Sequence, residues 1–475
     1  MPDADHSNDV SEKPEQSAAT GDMSQGRDVD SGLPVAASND SLRQSTSVVI
    51  GLVSAAVVIP IVVATLLPML PALGTAPAPL DVGIRHSASM LTFDRHVVGN
   101  SAIGHPRICH VQVTRLEADG PTGVLICDAG KNTVSFCSQN DAGKWNETVL
   151  LSDVLAPAHA TVVDIDNDDD LDILVAVLGN IEPDDGVIGR VVLLRREGDQ
   201  YVAQNILDDV RRVADVQPAD FDGDGDIDLA VAVFGYNRGQ VLWLENRSNG
   251  RFQEHELLSA PGTIHVPVAD YDGDGDPDIA AIVTQDEEEL WAFENLGAGN
   301  FRKRRLWFTI NFDLGSAGLL ADDLDRDGDV DLILPAGDNL EDFDPFPQPY
   351  HGCLWFENVG DWQFETRRIA DFGGTYAAAT GDLDNDNDTD IVLVSMANVW
   401  DDPTRASIVW LENDGHQQFR TWQIDSSPTH LVTVAIGDLN ADGHEDIVSG
   451  GLHIRGPYDR IGRVTSWING GDPAP

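Results

Sequence analysis

Hydrophobic and polar positions alternate in short runs along most of the chain. Alternation over five or six positions is typical of β-strands. The clearest runs are VLWLEN (241–246), LWAFEN (290–295), CLWFEN (353–358) and IVWLEN (408–413), and weaker copies are TVSFCS (133–138), VVLLRR (191–196) and VTSWIN (464–469). An aromatic residue opens a further short strand after every run except the last: Trp145, Tyr201, Phe252, Phe301, Phe364 and Phe419. The pattern predicts an all-β chain built from repeats.

Acidic loops of the form D-x-[DN]-x-D-x-x-x-D separate these strand runs. They begin at Asp164, Asp220, Asp270, Asp323, Asp382 and Asp438, at intervals of 56, 50, 53, 59 and 56 residues. A seventh copy at 115–123 keeps the glycine of the turn but lacks the first and last carboxylates. The chain therefore contains seven units of roughly 50 residues, a period typical of propellers and solenoids.

The last unit lacks its fourth strand, and a strand near the start of the repeat region can supply it. The segment from Phe93 to Val98 reads as an aromatic-led strand that precedes every acidic loop, whereas the run 464–469 ends the repeats without such a strand. All seven units have the same set of strands if this N-terminal strand completes the last unit. This predicts a seven-bladed β-propeller with N- and C-terminal strand closure, which removes exposed sheet edges. An open solenoid would instead carry capping units at both ends.

The chain before the repeats has a different composition. Residues 1–47 are predicted to be a disordered acidic tail, because they lack the apolar clusters needed for a core. Residues 48–73 contain no charged side chain and are long enough for one transmembrane helix. A signal peptide is the alternative, but its apolar region is normally shorter and nearer the start. Residues 74–90 are predicted to be a linker, 91–470 the propeller and 471–475 a tail.

Charge and cysteine content narrow the possible functions. A net charge of −51, from 80 acidic and 29 basic residues, excludes a nucleic-acid partner because phosphate would be repelled. Cys109, Cys127, Cys137 and Cys353 show no CxxC spacing, so the sequence gives no support for a zinc or haem site. Cys127 and Cys137 are either a disulfide across a hairpin or two buried thiols.

The acidic loops predict a cation site. Carboxylates at every second position repel one another and need a counter-ion among them. Many hard oxygen ligands suit calcium, and Gly225 supplies the sharp turn of its loop. The twelfth loop position holds Val175, Val231, Ala281, Leu334, Leu393 or Ser449. An EF-hand requires glutamate there, so the loops are not EF-hands.

These loops resemble the FG-GAP or VCBS repeats of integrin-α-like seven-bladed propellers, over about Leu91 to Asn469. The resemblance implies up to six calcium sites, with side-chain ligands at loop positions 1, 3, 5 and 9 and a backbone carbonyl at position 7. The implied metal residues are Asp164, Asp166, Asp168, Asp170 and Asp172; Asp220, Asp222, Asp224, Asp226 and Asp228; Asp270, Asp272, Asp274, Asp276 and Asp278; Asp323, Asp325, Asp327, Asp329 and Asp331; Asp382, Asp384, Asp386, Asp388 and Asp390; and Asp438, Asn440, Asp442, His444 and Asp446. Asp169 and Asn387 replace the turn glycine, and both residue types tolerate a left-handed backbone.

No residue is assigned a catalytic role, since the loops absorb nearly all paired aspartates and no phosphate loop or G-x-S-x-G elbow is present. His159, His265 and His430 either line the central channel or are ordinary strand residues.

The expected function is cell-surface recognition or adhesion, with a protein or glycan ligand. The propeller is expected on the extracytoplasmic side of a single-pass membrane protein, or secreted if the apolar segment is cleaved, because low-affinity calcium modules need millimolar calcium. The alternative is an extracellular enzyme acting on polysaccharide. The insert from Asp338 to Tyr350 is the first place to seek either function.

Overall fold

The computed structural model describes residues 85–140, 142–247, 250–285, 287–311, 313–340 and 346–471. The chain divides into two units, Met1–Ala78 and Pro79–Pro475, and all described residues lie in the second. The predicted tail and transmembrane helix lie outside the described residues. Within the described ranges, no helix has the length and apolar character needed to cross a bilayer.

The described residues form seven sheets of mainly antiparallel strands, the blades of the propeller. The chain opens with β1 (Ser87–Ala88) and β2 (Phe93–Val97). Blade 1 contains β3 (Ile108–Thr114), β4 (Gly123–Asp128), β5 (Thr133–Gln139) and β6 (Trp145–Leu151). Blade 2 contains β7 (Pro157–Val163), β8 (Asp172–Val177), β9 (Gly189–Glu197) and β10 (Gln200–Val210). Blade 3 contains β11 (Arg212–Ala219), β12 (Asp228–Phe234), β13 (Gln240–Asn246) and β14 (Phe252–Ser259).

The remaining blades repeat this plan. Blade 4 contains β15 (Thr263–His265), β16 (Val268–Ala269), β17 (Asp278–Val283), β18 (Glu288–Asn295) and β19 (Phe301–Thr309). Blade 5 contains β20 (Leu320–Asp322), β21 (Asp331–Ala336), β22 (Gly352–Asn358) and β23 (Phe364–Asp371). Blade 6 contains β24 (Thr375–Gly381), β25 (Asp390–Ser395), β26 (Ile408–Asn413) and β27 (Phe419–Asp425), together with β1. Blade 7 contains β28 (Leu431–Gly437), β29 (Asp446–Gly451) and β30 (Val464–Asn469), together with β2.

The ring closes as the sequence predicts. β2 pairs with β30, so that Phe93 lies opposite Asn469 and Arg95 opposite Trp467. The first strand of blade 7, β28, also contacts the first strand of blade 1, β3. The all-β seven-bladed propeller with shared terminal strands is therefore confirmed. In addition, β1 pairs in parallel with β27 and adds a fifth strand to blade 6.

The core lies between neighbouring blades. Large buried side chains of one sheet pack on the facing sheet, for example Leu174 and Leu193 of blade 2 on Leu229 and Val231 of blade 3. The largest buried side chains are tryptophans of the strand runs, and Trp355, Trp410 and Trp467 are almost fully buried. Burial of apolar area at every interface stabilises the closed ring.

The cysteines are free thiols. Cys127 lies opposite Val134 in the blade 1 sheet, and Cys137 lies opposite Val124. The two belong to different hydrophobic clusters, one shared with blade 2 and the other with blade 7. The alternative of two buried thiols therefore agrees with the structure.

The antiparallel strands give the ring two distinct faces. Connections between the first and second strands, and between the third and fourth, lie on one face, which we call the metal-loop face. Connections between the second and third strands, and between successive blades, lie on the other, which we call the opposite face. This follows because each strand reverses the direction of the chain.

Candidate metal centre

The six acidic loops join the first and second strands of blades 2 to 7. Five of them bring three carboxylates together, with one oxygen of each within 4.8 Å of the others. The clusters are Asp164, Asp166 and Asp172; Asp220, Asp222 and Asp228; Asp270, Asp272 and Asp278; Asp323, Asp325 and Asp331; and Asp382, Asp384 and Asp390. These are loop positions 1, 3 and 9. Each cluster could hold a hard metal ion.

Backbone N–H groups fix the first carboxylate of each loop. In blade 3, Gly225 N donates to Asp220 Oδ2 over 3.0 Å, and its φ of 92° lies in the left-handed region. Asp169 and Asn387 fill the same position with φ of 68° and 70°, and make the same hydrogen bond at 3.0 Å. The predicted tolerance of Asp and Asn at this turn therefore agrees with the backbone geometry.

The ninth-position aspartate is buried and ties the loop to the blade. Asp278, for example, is fully buried; its Oδ2 accepts from Tyr271 N at 3.0 Å and its Oδ1 from Asn295 N at 2.7 Å. The same pair of hydrogen bonds occurs in the other five loops, at Asp172, Asp228, Asp331, Asp390 and Asp446. This carboxylate therefore has a structural role in addition to its place in the cluster.

Burial raises the pKa of these ninth-position carboxyls. The pKa rises to about 6 for Asp228 and Asp446, about 7 for Asp278 and Asp331, and about 8 for Asp390. In each case loss of hydration disfavours the ionised form more strongly than the backbone hydrogen bonds favour it. A bound cation would favour the ionised form and offset this cost.

An orphaned oxygen in blade 4 fits a metal ion. Asp272 Oδ2 accepts from Trp362 Nε1 at 2.9 Å, whereas Asp272 Oδ1 is buried without a hydrogen-bond partner among the described residues. An unpaired buried carboxylate oxygen is costly. It lies in the cluster with Asp270 and Asp278, where a calcium ion would satisfy it. Trp362 belongs to the hairpin of blade 5, so the neighbouring blade covers this loop.

The six loops are not equivalent. In blade 2, Arg195 Nη1 lies 3.0 Å from Asp166 Oδ2, so an internal cation already contacts the third position. In blade 7 the third position is Asn440, whose Oδ1 accepts from Asp442 N at 2.9 Å. The seventh, degenerate copy of the loop, residues 115–123 in blade 1, has Gly123 at the ninth position. A Cβ there would lie 2.4 Å from the Cys137 carbonyl oxygen. A ninth-position carboxylate therefore does not fit in blade 1.

The fifth-position carboxylates face their own loops. Each accepts a hydrogen bond from the backbone N–H of the seventh position, as in Asp226 N to Asp224 Oδ1 at 2.9 Å. The same contact links Asp170 to Asp168, Asp276 to Asp274, Asp329 to Asp327, Asp388 to Asp386 and His444 to Asp442. The clusters contain positions 1, 3 and 9, and the expected ligand roles of positions 5 and 7 remain predictions.

An asparagine at the end of the third strand joins each of blades 4 to 7 to the preceding blade. Asn358 Nδ2 donates to Val330 O in its own loop at 3.1 Å and to Tyr271 O in blade 4 at 2.8 Å. Asn295, Asn413 and Asn469 make the same pair of contacts with their own and the preceding blade. In blade 2, Arg196 occupies this position and donates to Leu116 O in blade 1 at 2.8 Å. The Asn that recurs at the end of the strand runs of blades 4 to 7 was the sequence signal for this inter-blade contact.

The channel histidines fall into two groups. His159 and His265 line the central cavity with His110 and Asp215, neither of which the sequence reasoning singled out. All four lie five residues before the start of their loops. His430 instead packs near His453 and Trp400, with ring centroids 5.1 and 5.7 Å away. Of the two alternatives considered for these histidines, a position in the wall of the central channel therefore agrees with the structure for His159 and His265.

Comparison with protein families agrees with the repeated loops. Residues 220–281 and 270–334 match the model of a family described as an FG-GAP-like repeat. The chain is thus a seven-bladed β-propeller that contains FG-GAP-like repeats. No curated protein matches the sequence. Among solved structures, the chain is similar to that described as the crystal structure of BBS1N in complex with ARL6DN, soaked with lead, with 11% identity over 80% of this chain and 97% of that chain, at a TM-score of 0.49.

Proposed function

We propose that this propeller is a calcium-stabilised recognition module whose ligand, a protein or a glycan, binds the opposite face. Calcium is the proposed ion because the clusters offer only carboxylate oxygens in five loops. Its proposed role is to fasten each loop to its blade, since binding to the folded state alone raises stability. The ligand site would then lie on the face that the ions leave free.

Exposed apolar side chains on the opposite face carry this proposal. Ile103 is 91% exposed, Ile310 73% and Phe346 54%. Each lies in a connection between blades or between second and third strands, and Phe346 belongs to the insert singled out in the sequence. Large apolar side chains on loops of a rigid scaffold mark interaction sites.

We further propose that residues 48–73 anchor the chain in a membrane, with the propeller on the extracytoplasmic side. The lack of charge over 26 residues and the demand of low-affinity sites for millimolar calcium support this placement. Fractionation of cells expressing the full chain tests it. Deletion of 48–73 should release the protein from membranes, and unchanged membrane association would contradict the anchor.

A binding screen tests the recognition role. The full chain in detergent would be applied to glycan and surface-protein arrays, with calcium or with chelator. A triple variant of Ile103→Ser, Ile310→Ser and Phe346→Ser should lose the ligands that the parent binds. The control pair Leu296→Ser and Val359→Ser alters exposed residues on the metal-loop face and should retain them. Absence of ligands, or ligands lost only in the control, would contradict the proposed site.

A further inference from the structure

A cavity of about 580 Å³ occupies the central channel. It is lined by the first halves of the innermost strands and by connections of the opposite face, so it lies away from the metal loops. The position five residues before each loop contributes to its wall in every blade: His110, His159, Asp215, His265, Gly318, Ala377 and Thr433. Blades 1 to 4 thus supply ionisable groups, whereas blades 5 and 6 supply small residues that leave space.

Asp215 orients two of the imidazoles. It is 1% exposed, and its Oδ1 lies 3.2 Å from His159 Nδ1, while its Oδ2 lies 3.6 Å from His265 Nδ1. Gln217 Nε2 and Val266 N also donate to this carboxylate, at 2.9 and 3.0 Å. The carboxylate attracts the proton of each ring to Nδ1, which leaves Nε2 of His159 and His265 as hydrogen-bond acceptors.

His110 has the complementary tautomer. Its Nδ1 accepts a hydrogen bond from Ala160 N at 3.4 Å, which places the ring proton on Nε2. The His110 and His159 rings lie together, with centroids 3.9 Å apart. Burial lowers the pKa of both imidazoles, so both are neutral near pH 7. The pair therefore offers one N–H donor and one lone-pair acceptor on two adjacent rings that both line the cavity.

A hydroxyl group matches this pair, because it can donate to His159 Nε2 and accept from His110 Nε2 at once. A carboxylate has no proton for the acceptor, and a phosphate anion would lie beside the buried carboxylate of Asp215. A metal ion cannot use the protonated Nε2 of His110, and the clusters of potential metal ligands among the described residues do not include these histidines. The hydrogen-bond pattern therefore favours a neutral ligand that carries hydroxyl groups.

The rest of the wall suits a small neutral molecule. Leu319, Ala377 and Val432 provide an apolar side. Arg455 also lines the cavity. Glu182 lines the cavity too, and the net charge of −51 disfavours anions. The volume is within the usual range for small-molecule sites, roughly 300 to 1,000 Å³.

We propose that the central cavity binds a neutral, polyhydroxylated molecule of about the size of a monosaccharide, with one ligand hydroxyl held between His110 and His159. This site is separate from the loop surface of the opposite face proposed for recognition. Asp215 acts as a positioning residue that fixes the tautomers.

Saturation-transfer NMR on the full chain with calcium tests the site. The probes are D-glucose, D-galactose, D-mannose, D-xylose and L-rhamnose, each at millimolar concentration. At least one should bind, and His159→Phe or His110→Phe should weaken it about tenfold or more, the equivalent of one lost hydrogen bond. His96→Phe, on the outer strand of blade 7, is the matched control and should bind as the parent does.

Asp215→Asn provides a second variant if a phenylalanine disturbs folding. The amide can donate to Nδ1 and shift the ring proton to Nε2, so the expected result is the same loss of binding. The triple serine variant of the opposite face should bind the sugar normally, which separates this site from the recognition surface. Absence of binding by all five sugars, or parent-like binding by both His→Phe variants, would overturn the proposal.

Discussion

The side-chain amide of Asn358 in blade 5 donates a hydrogen bond of 2.8 Å to the carbonyl of Tyr271 in blade 4. Both groups are buried, and the residues are 87 positions apart. The backbone N–H of Asn358 also binds Asp331, the ninth-position carboxylate of its own loop. One residue therefore links a metal loop, its blade and the neighbouring blade.

Replacing Asn358 by alanine should destabilise the ring. The change leaves the buried carbonyl of Tyr271 and the partly buried carbonyl of Val330 without their side-chain donor, which we expect to cost about 1 to 3 kcal/mol in the free energy of unfolding. Asn246→Ala is the matched control, because among the described residues Asn246 Nδ2 donates to Ile227 O of its own blade and not to the preceding blade. Chemical denaturation with calcium should show the larger loss for Asn358→Ala. Equal losses would argue against an inter-blade role.

Without calcium, stability should fall as pH rises. Burial raises the folded-state pKa of Asp278 and Asp331 to about 7 and of Asp390 to about 8, above the values of the unfolded chain. The folded state then binds more protons, and its stability is lost as pH rises through these pKa values. The melting temperature in chelator should therefore decrease as pH rises from about 5 to about 8, between the unfolded-state and folded-state pKa values of these carboxyls. Millimolar calcium should largely remove the decrease.

Glu288 provides the control for this experiment. Burial raises the pKa of Glu288 to about 7, yet it lies outside the metal loops and accepts hydrogen bonds from Gly315 and Ser316. Its contribution to the pH dependence should persist in calcium and disappear in Glu288→Gln. A pH dependence that is identical with and without calcium would contradict the role of the loop carboxyls.

Arg195 should weaken the blade 2 site. Its guanidinium contacts Asp166, and a bound ion would have to compete with it. Arg195→Gln should therefore increase calcium affinity at this loop and add a tighter site in calorimetric titration. Arg305→Gln removes an arginine that pairs with Glu289, remote from the metal-loop face, and should leave the titration unchanged. If the arginine does not compete, both variants will titrate as the parent.

Trp362 should report on the blade 4 site. Its indole N–H binds Asp272 Oδ2, one of the three clustered carboxylates. Calcium binding should alter the environment of this indole, and the calcium-induced change in tryptophan fluorescence should decrease in Trp362→Phe. Asp272→Asn should reduce the same change by weakening the site. A full fluorescence response in both variants would show that the ion does not bind there.

The strand runs were enough to predict the blades, because the alternation of apolar and polar positions is a local pattern. The number of strands in each unit was enough to predict the closure of the ring. The loops were predictable for the same reason. The inter-blade contact of Asn358 was not predicted, since its acceptor lies in another unit, although the recurring Asn was visible. Arg196 makes the equivalent contact in blade 2. Its role could not be predicted from the recurring Asn, because the residue type differs.

The four ionisable residues of the cavity wall were also only partly predictable from the sequence. His110 and Asp215 occupy the repeat position of His159 and His265, but a mixture of residue types hid the equivalence. Alignment of the units on their loops would have brought all four together. The hydrogen-bond pattern that sets their tautomers depends on Ala160 N and on the spacing of the blades, which only the structure supplies.

Calcium content is the most direct measure of the central claim that divalent ions occupy the clustered loops. The purified full chain, dialysed against millimolar calcium and then analysed for bound metal, should retain several calcium ions per chain, up to the six acidic loops of blades 2 to 7. Conversion of Asp222, Asp272, Asp325 and Asp384 to asparagine should reduce that number. A parent protein that retains no calcium under these conditions would contradict the metal assignment.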